Sequence, residues 1–318
     1  MDFGLHVGTR GVGATPEGLH AIAEKTEEVG FSYLGFPDHV VIPNLVDSKY
    51  PYNKEGQWPA QSTGTCLEQL MTIAYVAAVT TNIRLLTSVM VLPHRAPVLS
   101  AKMLATADVL SKGRLTVGVG IGWMAEEIEI LNTMPFSERA EAADEYISAF
   151  RKLWIQRTPS HHGNRVNFEN IMFEPKPTQK PHPPVWIGGE SKPALERTAR
   201  LADGWYPVIA NARHPLDSAE LYGTMLSKVK GLVQRAGRPP DELDTALYVP
   251  WYQLGKPVIG QSGDRSPFTG EAEQIAEDVR AYGKCGLNHL VIGFESQNLR
   301  VSLERIERFG KEIMPLCS

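Results

Sequence analysis

"GRLTVGVGIGWMAEEIEIL", residues 113 to 131, decides which α/β fold this chain adopts. A β-type run ends in alternating glycines and passes straight into a helical pattern. Gly120-Ile121-Gly122-Trp123-Met124-Ala125 satisfies the G-x-G-x-x-A spacing of a dinucleotide-binding turn. Such a unit returns to a parallel strand within about thirty residues and carries an acid there. Here "FSERAEAADEYISAFRKLW", 136 to 154, continues as helix, which leaves Glu141 and Asp144 as helix-surface acids. The glycines then serve another purpose: a flat ring can lie against backbone where Cβ atoms would collide.

Outward from that turn, short apolar runs alternate with helical patterns, the signature of parallel strands joined by helical crossovers. Eight strands are expected, at 3–8, 33–38, 83–91, 114–120, 184–189, 204–209, 245–251 and 289–294. The crossover at 16–30 places Leu19, Ile22, Ala23, Thr26 and Val29 near helical spacing, with Gly30 as its terminator. Eight strand-helix units without a Ser/Gly linker imply an α/β chain forming a single (β/α)8 TIM barrel over residues 1–318. Insertions at 42–65 and 252–269 are expected to act as lids at the C-terminal mouth, and 154–184 as a hairpin and connector.

A net charge of −4 with dispersed Lys and Arg gives no footprint for a nucleic-acid backbone. Three widely spaced cysteines form neither a disulfide framework nor a thiolate metal site, and a reducing cytoplasm is expected. The N-terminus reads as the first strand rather than a signal peptide. The apolar region 71–92 is broken by Asn82 and Arg84 before it could span a bilayer, so no membrane partner is expected.

Active sites of such barrels lie at the C-terminal ends of the strands. Strand two ends in Asp38-His39, a short acceptor for a heterocyclic N–H beside a ring that exchanges protons near neutrality. Strand five ends in Gly188-Gly189-Glu190-Ser191, with Ser191 at a helix N-cap and Pro193 in the first turn. That turn suits a phosphate, and equally a capped turn that binds nothing. Trp58, Trp123 and Trp251, with Tyr50, Tyr52 and Tyr252, are placed to enclose a planar or apolar substrate. The histidines have no metal-ligand spacing, so no metal is expected.

The segments "GFPDH", "LPHRAPVLSAKMLATADVLSKGRLTVGVGIGWMAEEIEIL", "PFSERAEAADEYISAFRKLW" and "PPVWIGGESKPALERTARLADGW" resemble, in order and spacing, the luciferase-like monooxygenase superfamily. The chain most resembles its branch using the deazaflavin coenzyme F420. The resemblance implies a dimeric barrel with the tricyclic ring across its mouth. Asp38 and His39 match positions near ring and substrate, and Ser88 and Val89 match a bulge behind the ring joined by a non-proline cis peptide. Gly120, Ile121 and Gly122 match the turn beside the ring; Gly188, Gly189, Glu190 and Ser191 match the loop near the cofactor's ribityl chain and phosphate. Relatives that oxidise glucose 6-phosphate carry a glutamate where Trp123 stands, so a less polar substrate is expected.

The resemblance implies hydride transfer between F420 and a small organic substrate, with His39 managing the proton. An alternative is an FMN-dependent monooxygenase supplied by a separate flavin reductase. A third is a barrel that binds its cofactor without catalysis.

Overall fold

The computed structural model describes residues 1–59, 64–260, 263–294 and 296–317. Eight parallel strands form a closed ring in chain order among these residues. They are β1 (Asp2–His6), β2 (Tyr33–Phe36), β3 (Arg84–Thr87), β4 (Leu115–Gly120), β5 (Val185–Ile187), β6 (Gly204–Trp205), β7 (Asp244–Val249) and β8 (His289–Gly293). The ring closes where β1 pairs with β8, Asp2 opposite His289 and His6 opposite Gly293. All eight expected strands are present.

The helices pack outside: α1 (Pro16–Val29), α2 (Gln69–Val79), α3 (Pro97–Leu110), α4 (Ala125–Leu131), α5 (Arg139–Ile155), α6 (Lys192–Leu201), α7 (Ala219–Arg235), α8 (Ala272–Lys284) and α9 (Leu299–Arg308). Helix α1 buries Leu19, Ile22, Ala23 and Thr26 and ends at Gly30, whose φ of +93° makes glycine the natural C-cap. The main core lies between sheet and helices. A second cluster, Tyr33, Leu86, Trp186, Tyr206, Ala246 and Val291, fills the barrel interior. Trp186 dominates it, its ring centroid 5.4 Å from that of Tyr33 and 5.8 Å from that of Tyr206. This plug closes one end of the barrel and forms the floor beneath the mouth.

Strand β3 does not run straight into its C-terminal extension, Met90–Val91, because a bulge at Ser88-Val89 with a cis peptide bond intervenes. Both flanking segments pair with β4. The bulge presses on β4, and this explains the glycine run. A Cβ on Gly118 would fall 2.2 Å from the Thr87 carbonyl oxygen, and one on Gly120 2.8 Å from Val89 Cγ2. The reading of the run as a bare ledge for a ring alone is therefore corrected: its glycines first admit the neighbouring strand.

The two insertions differ from each other. Residues 42–59 fold over the mouth and are fastened to α4: Glu126 Oε1 accepts the N–H groups of Asp47 and Ser48 at 2.7 and 2.9 Å. Of the second expected lid, 252–269, residues 261 and 262 lie outside the described residues, and 252–260 and 263–269 are instead anchored away from the mouth. Gln253–Leu254 pairs with Thr269–Gly270, and Arg265 forms a two-bond pair with Asp278 of α8. The 154–184 connector holds the expected hairpin, in which His161 is buried and His162 exposed. Among the described residues no helix is long and apolar enough to cross a membrane. No group of three His, Cys, Asp or Glu side chains among them could hold a metal ion.

Candidate active site

A cavity of about 410 Å³ opens at the C-terminal mouth, within the range of small-molecule sites. It gathers Asp38 and His39 from the end of β2, Ser88 and Val89 from the bulge, and Gly120 to Trp123 from the end of β4. Gly188 to Ser191 follow from the end of β5, and Trp58 comes from the lid. Trp251 is not brought there. Its indole N–H binds the Pro267 carbonyl at 2.9 Å, within the anchored second insertion. Tyr252 lies in the core, 4.5 Å from the ring of Phe294.

The strand-two pair divides its work. The Asp38 side chain has no exposed surface. Arg95 grips both its oxygens, at 2.7 and 2.8 Å, and the Val91 N–H adds a bond of 2.8 Å. Asp38 is therefore a wall element that fixes Arg95 and the strand extension, not an acceptor facing a heterocycle. Arg95 also reaches Glu68 at 2.5 Å, at the start of α2.

His39 keeps some exposure and meets a residue the sequence reading left inside a helix. Its Nδ1 lies 2.8 Å from Oε2 of Glu127, whose side chain is 1% exposed. The other Glu127 oxygen accepts the N–H groups of Val40 and Val41 at 2.7 and 3.2 Å. Burial acts to raise the Glu127 carboxyl. The His39 hydrogen bond, the fields of His39 and His94, and the Val40 N–H outweigh it and hold the group below its ordinary range. A carboxylate on Nδ1 fixes the ring and leaves Nε2 as the proton-exchanging atom. The only sequence signal for Glu127 is an acid pair in the first turn of a helix that begins at a strand's C-terminal end.

Behind this pair the floor is rigid. Ser88 Oγ and Tyr206 Oη are 2.8 Å apart and buried, tying the bulge to the barrel plug. Gly122 has a φ of +77° and a carbonyl that accepts from Arg139 Nε at 3.2 Å, which fixes the turn. Gly188 differs from Gly118, Gly120 and Gly122: a Cβ there would meet its neighbours at 3.4 to 3.5 Å, ordinary contact. The protein could accommodate a side chain at Gly188, and its absence keeps the cavity open.

At the end of β5, Ser191 is the N-cap of α6 but its hydroxyl makes no capping bond, so hydroxyl and first-turn N–H groups are both available to an anion. Glu190 turns away from that point. It is 2% exposed, and its oxygens accept from the Val208 N–H at 2.6 Å and Asn211 Nδ2 at 2.5 Å. Burial, opposed by those two bonds, pushes its carboxyl up to about 7. Aromatic rings form the opposite wall: His39 to Trp58 at 4.4 Å, Trp58 to Trp123 at 6.1 Å, and Trp123 to Tyr50 at 5.2 Å between centroids.

The profile of the luciferase-like monooxygenase family matches residues 1–253. The chain belongs to that family. An uncharacterised protein of Mycobacterium tuberculosis is 31% identical over 302 residues, covering 92% of this chain and 93% of its own. An FMNH2-dependent dimethylsulfone monooxygenase of Pseudomonas putida is 36% identical over 118 residues, 36% of this chain and 32% of that one. An F420-dependent secondary alcohol dehydrogenase, solved with an F420–acetone adduct, superposes with a TM-score of 0.77 at 16% identity, covering 100% of this chain and 99% of that one. That last likeness concerns the fold.

Proposed function

We propose that this luciferase-like chain is an F420-dependent oxidoreductase acting on a small, rather apolar organic substrate. The observation that carries the reading is the pair of part-exposed His39 and buried Glu127 at the wall of a cavity also lined by the Ser88-Val89 bulge. A deazaflavin, when bound, supplies a carbon that gives or takes a hydride but leaves the accompanying proton to the protein. His39 Nε2 would exchange that proton with the substrate oxygen, as base in alcohol oxidation or as acid in the reverse sense. Glu127, on Nδ1, holds the ring in one orientation with Nε2 free to exchange.

The residues present fit the cofactor. The bare backbone at Gly188 and the Val89 face, both lining the cavity, suit a flat ring system, and the α6 N-terminus with Ser191 suits its phosphate. The aromatic wall of Trp58 and Trp123 favours an apolar substrate in the remaining space. A homodimer is part of the proposal, supported by exposed Met71 and Tyr75 on α2 and Leu99 and Leu110 on α3, helices that pack side by side. A cytoplasmic, single-domain protein completes it.

A second reading, an FMN-dependent monooxygenase fed by a separate reductase, is favoured by the segment shared with the dimethylsulfone monooxygenase. Fluorescence titration of purified protein with F420 and with FMN separates the two. Binding of F420 with turnover of secondary alcohols or activated alkenes is expected. Tight FMN binding with no affinity for F420 reverses the assignment, and saturation without turnover across a broad panel favours a non-catalytic barrel.

A further inference from the structure

His94 is a buried imidazole that the proposed chemistry does not use. It sits in the 3-10 turn Leu92–His94, between the β3 extension and α3, and only 2% of its side chain is exposed. Both ring nitrogens face acids: Nδ1 lies 3.8 Å from Asp38 Oδ2, and Nε2 3.7 Å from Glu127 Oε2. Nδ1 makes no hydrogen bond among the described residues. The Glu127 oxygen facing His94 is the same one that meets His39 Nδ1 at 2.8 Å.

A neutral imidazole has one N–H and one lone pair, so between two carboxylates one nitrogen always turns a lone pair towards negative charge. Only the imidazolium satisfies both sides. Burial opposes that charge and outweighs Asp38 and Glu127, with Arg95 and His39 adding positive fields, so the His94 ring is held below its ordinary value. Asp38 is already neutralised by Arg95, which also binds Glu68. Glu127 is therefore the acid whose attraction for His94 varies, because it depends on whether His39 carries a proton.

We propose that His94 is a second proton seat, sharing Glu127 Oε2 with His39 so that the positive charge balancing Glu127 can rest on either ring. When His39 Nε2 passes its proton to the substrate oxygen, Nδ1–H stays on Glu127 but the ring's positive charge is gone, so Glu127 favours uptake of a proton from water at His94 Nε2; His94 returns that proton to water when His39 charges again. His94 acts through Glu127 and is a positioning residue. The inference rests on reading His39–Glu127 as the proton-handling pair.

The test is a pH titration of the histidine ring nitrogens by NMR in 15N-labelled protein without cofactor. Two coupled midpoints are expected for His39 and His94. His94→Phe removes the competitor for Glu127, so the His39 midpoint should rise by about half a pH unit or more, roughly threefold in its proton equilibrium. His94→Gln keeps a donor but cannot carry a proton and should raise it likewise. Glu127→Gln should lower both ring midpoints together. A His39 midpoint unmoved in both folded His94 variants, or a Glu127→Gln protein in which only His39 shifts, overturns the proposal. In turnover, the kcat–pH limb should move with the His39 midpoint while KM stays constant. A protein that turns nothing over with F420 overturns the cofactor reading alone, and the ring titration decides the role of His94 in either case.

Discussion

Nδ1 of His39 lies 2.8 Å from Oε2 of Glu127, although 88 positions separate the two in the chain. The end of strand β2 delivers the ring and the first turn of α4, after β4, delivers the acid, so the second and fourth strand-helix units together form the proposed proton-handling pair. His39→Ala should lower kcat by about 10²–10⁴-fold while F420 affinity changes little, because the ring's contribution falls on proton transfer. Glu127→Gln keeps the shape and should cost less, about 10-fold or more, with a shifted pH profile. Steady-state kinetics beside fluorescence titration of the cofactor check both, and equal losses in cofactor affinity would remove the catalytic assignment.

Glu127 should also make stability sensitive to acid. Its carboxyl is held below the ordinary range in the folded chain, so its contribution is fully present above the unfolded value and is lost as pH falls through the folded one. Glu127→Gln should therefore destabilise by about 1–3 kcal/mol at pH 7, where His39 and the Val40 and Val41 N–H groups meet the carboxylate. The difference should shrink towards pH 3. Urea unfolding of both proteins at the two pH values measures it, and a gap that does not change with pH counts against an ionised Glu127.

The barrel was legible because alternating runs and crossover spacing are local signals that survive in a single sequence. All eight strands and the α1 terminator Gly30 fall where the pattern puts them. Partnership was not legible. Asp38 reads as a site acid until Arg95 is seen closing on both its oxygens, and that contact spans 57 positions. Glu127 and His94 lie in a helix start and a turn whose orientation depends on the bulge at Ser88-Val89. Trp251 misled because residue type says nothing about which way an insertion folds, and the Arg265–Asp278 pair draws that loop outward.

The glycine at position 120 gives a steric prediction. Its ideal Cβ would lie 2.8 Å from Val89 Cγ2 and meets no closer obstacle. Gly120→Ala should cost about 1–3 kcal/mol through overpacking and displace the Ser88-Val89 bulge. Val89→Ala in the same chain should recover most of that loss. Thermal unfolding of the two single variants and the double variant reads the coupling, and simple additivity would show that the clash is not with Val89.

Trp123 should govern substrate rather than cofactor. It stands between Trp58 and Tyr50 at edge-to-face distances, on the cavity wall. Trp123→Ala should raise KM for apolar substrates about 10-fold while F420 affinity stays within about twofold, since lost contact area weakens ground-state binding. Trp251→Phe is the control and should leave KM unchanged, because its ring faces Pro267. Matching effects from the two substitutions would place the substrate elsewhere.

Glu190 reverses the pH sign found at Glu127. Burial pushes its carboxyl up to about 7 from the ordinary value of 4.5, against the pull of the Val208 N–H and Asn211. Between those two values the folded chain holds a proton that the unfolded chain has released, so stability falls as pH rises through that window and is level above it. Glu190→Gln cannot ionise and escapes that loss. It should be more stable than the parent by roughly 1–3 kcal/mol at pH 8 and no more stable at pH 4.5. The site gives this a functional side, because Glu190 stands one residue before Ser191, where the cofactor phosphate is proposed to bind. An ionised Glu190 repels that phosphate, so F420 affinity of the parent should weaken between pH 6 and pH 8, while that of Glu190→Gln stays level. Parallel unfolding and cofactor titrations across that range decide it: a parent and variant that track each other in both would mean the carboxyl does not titrate there.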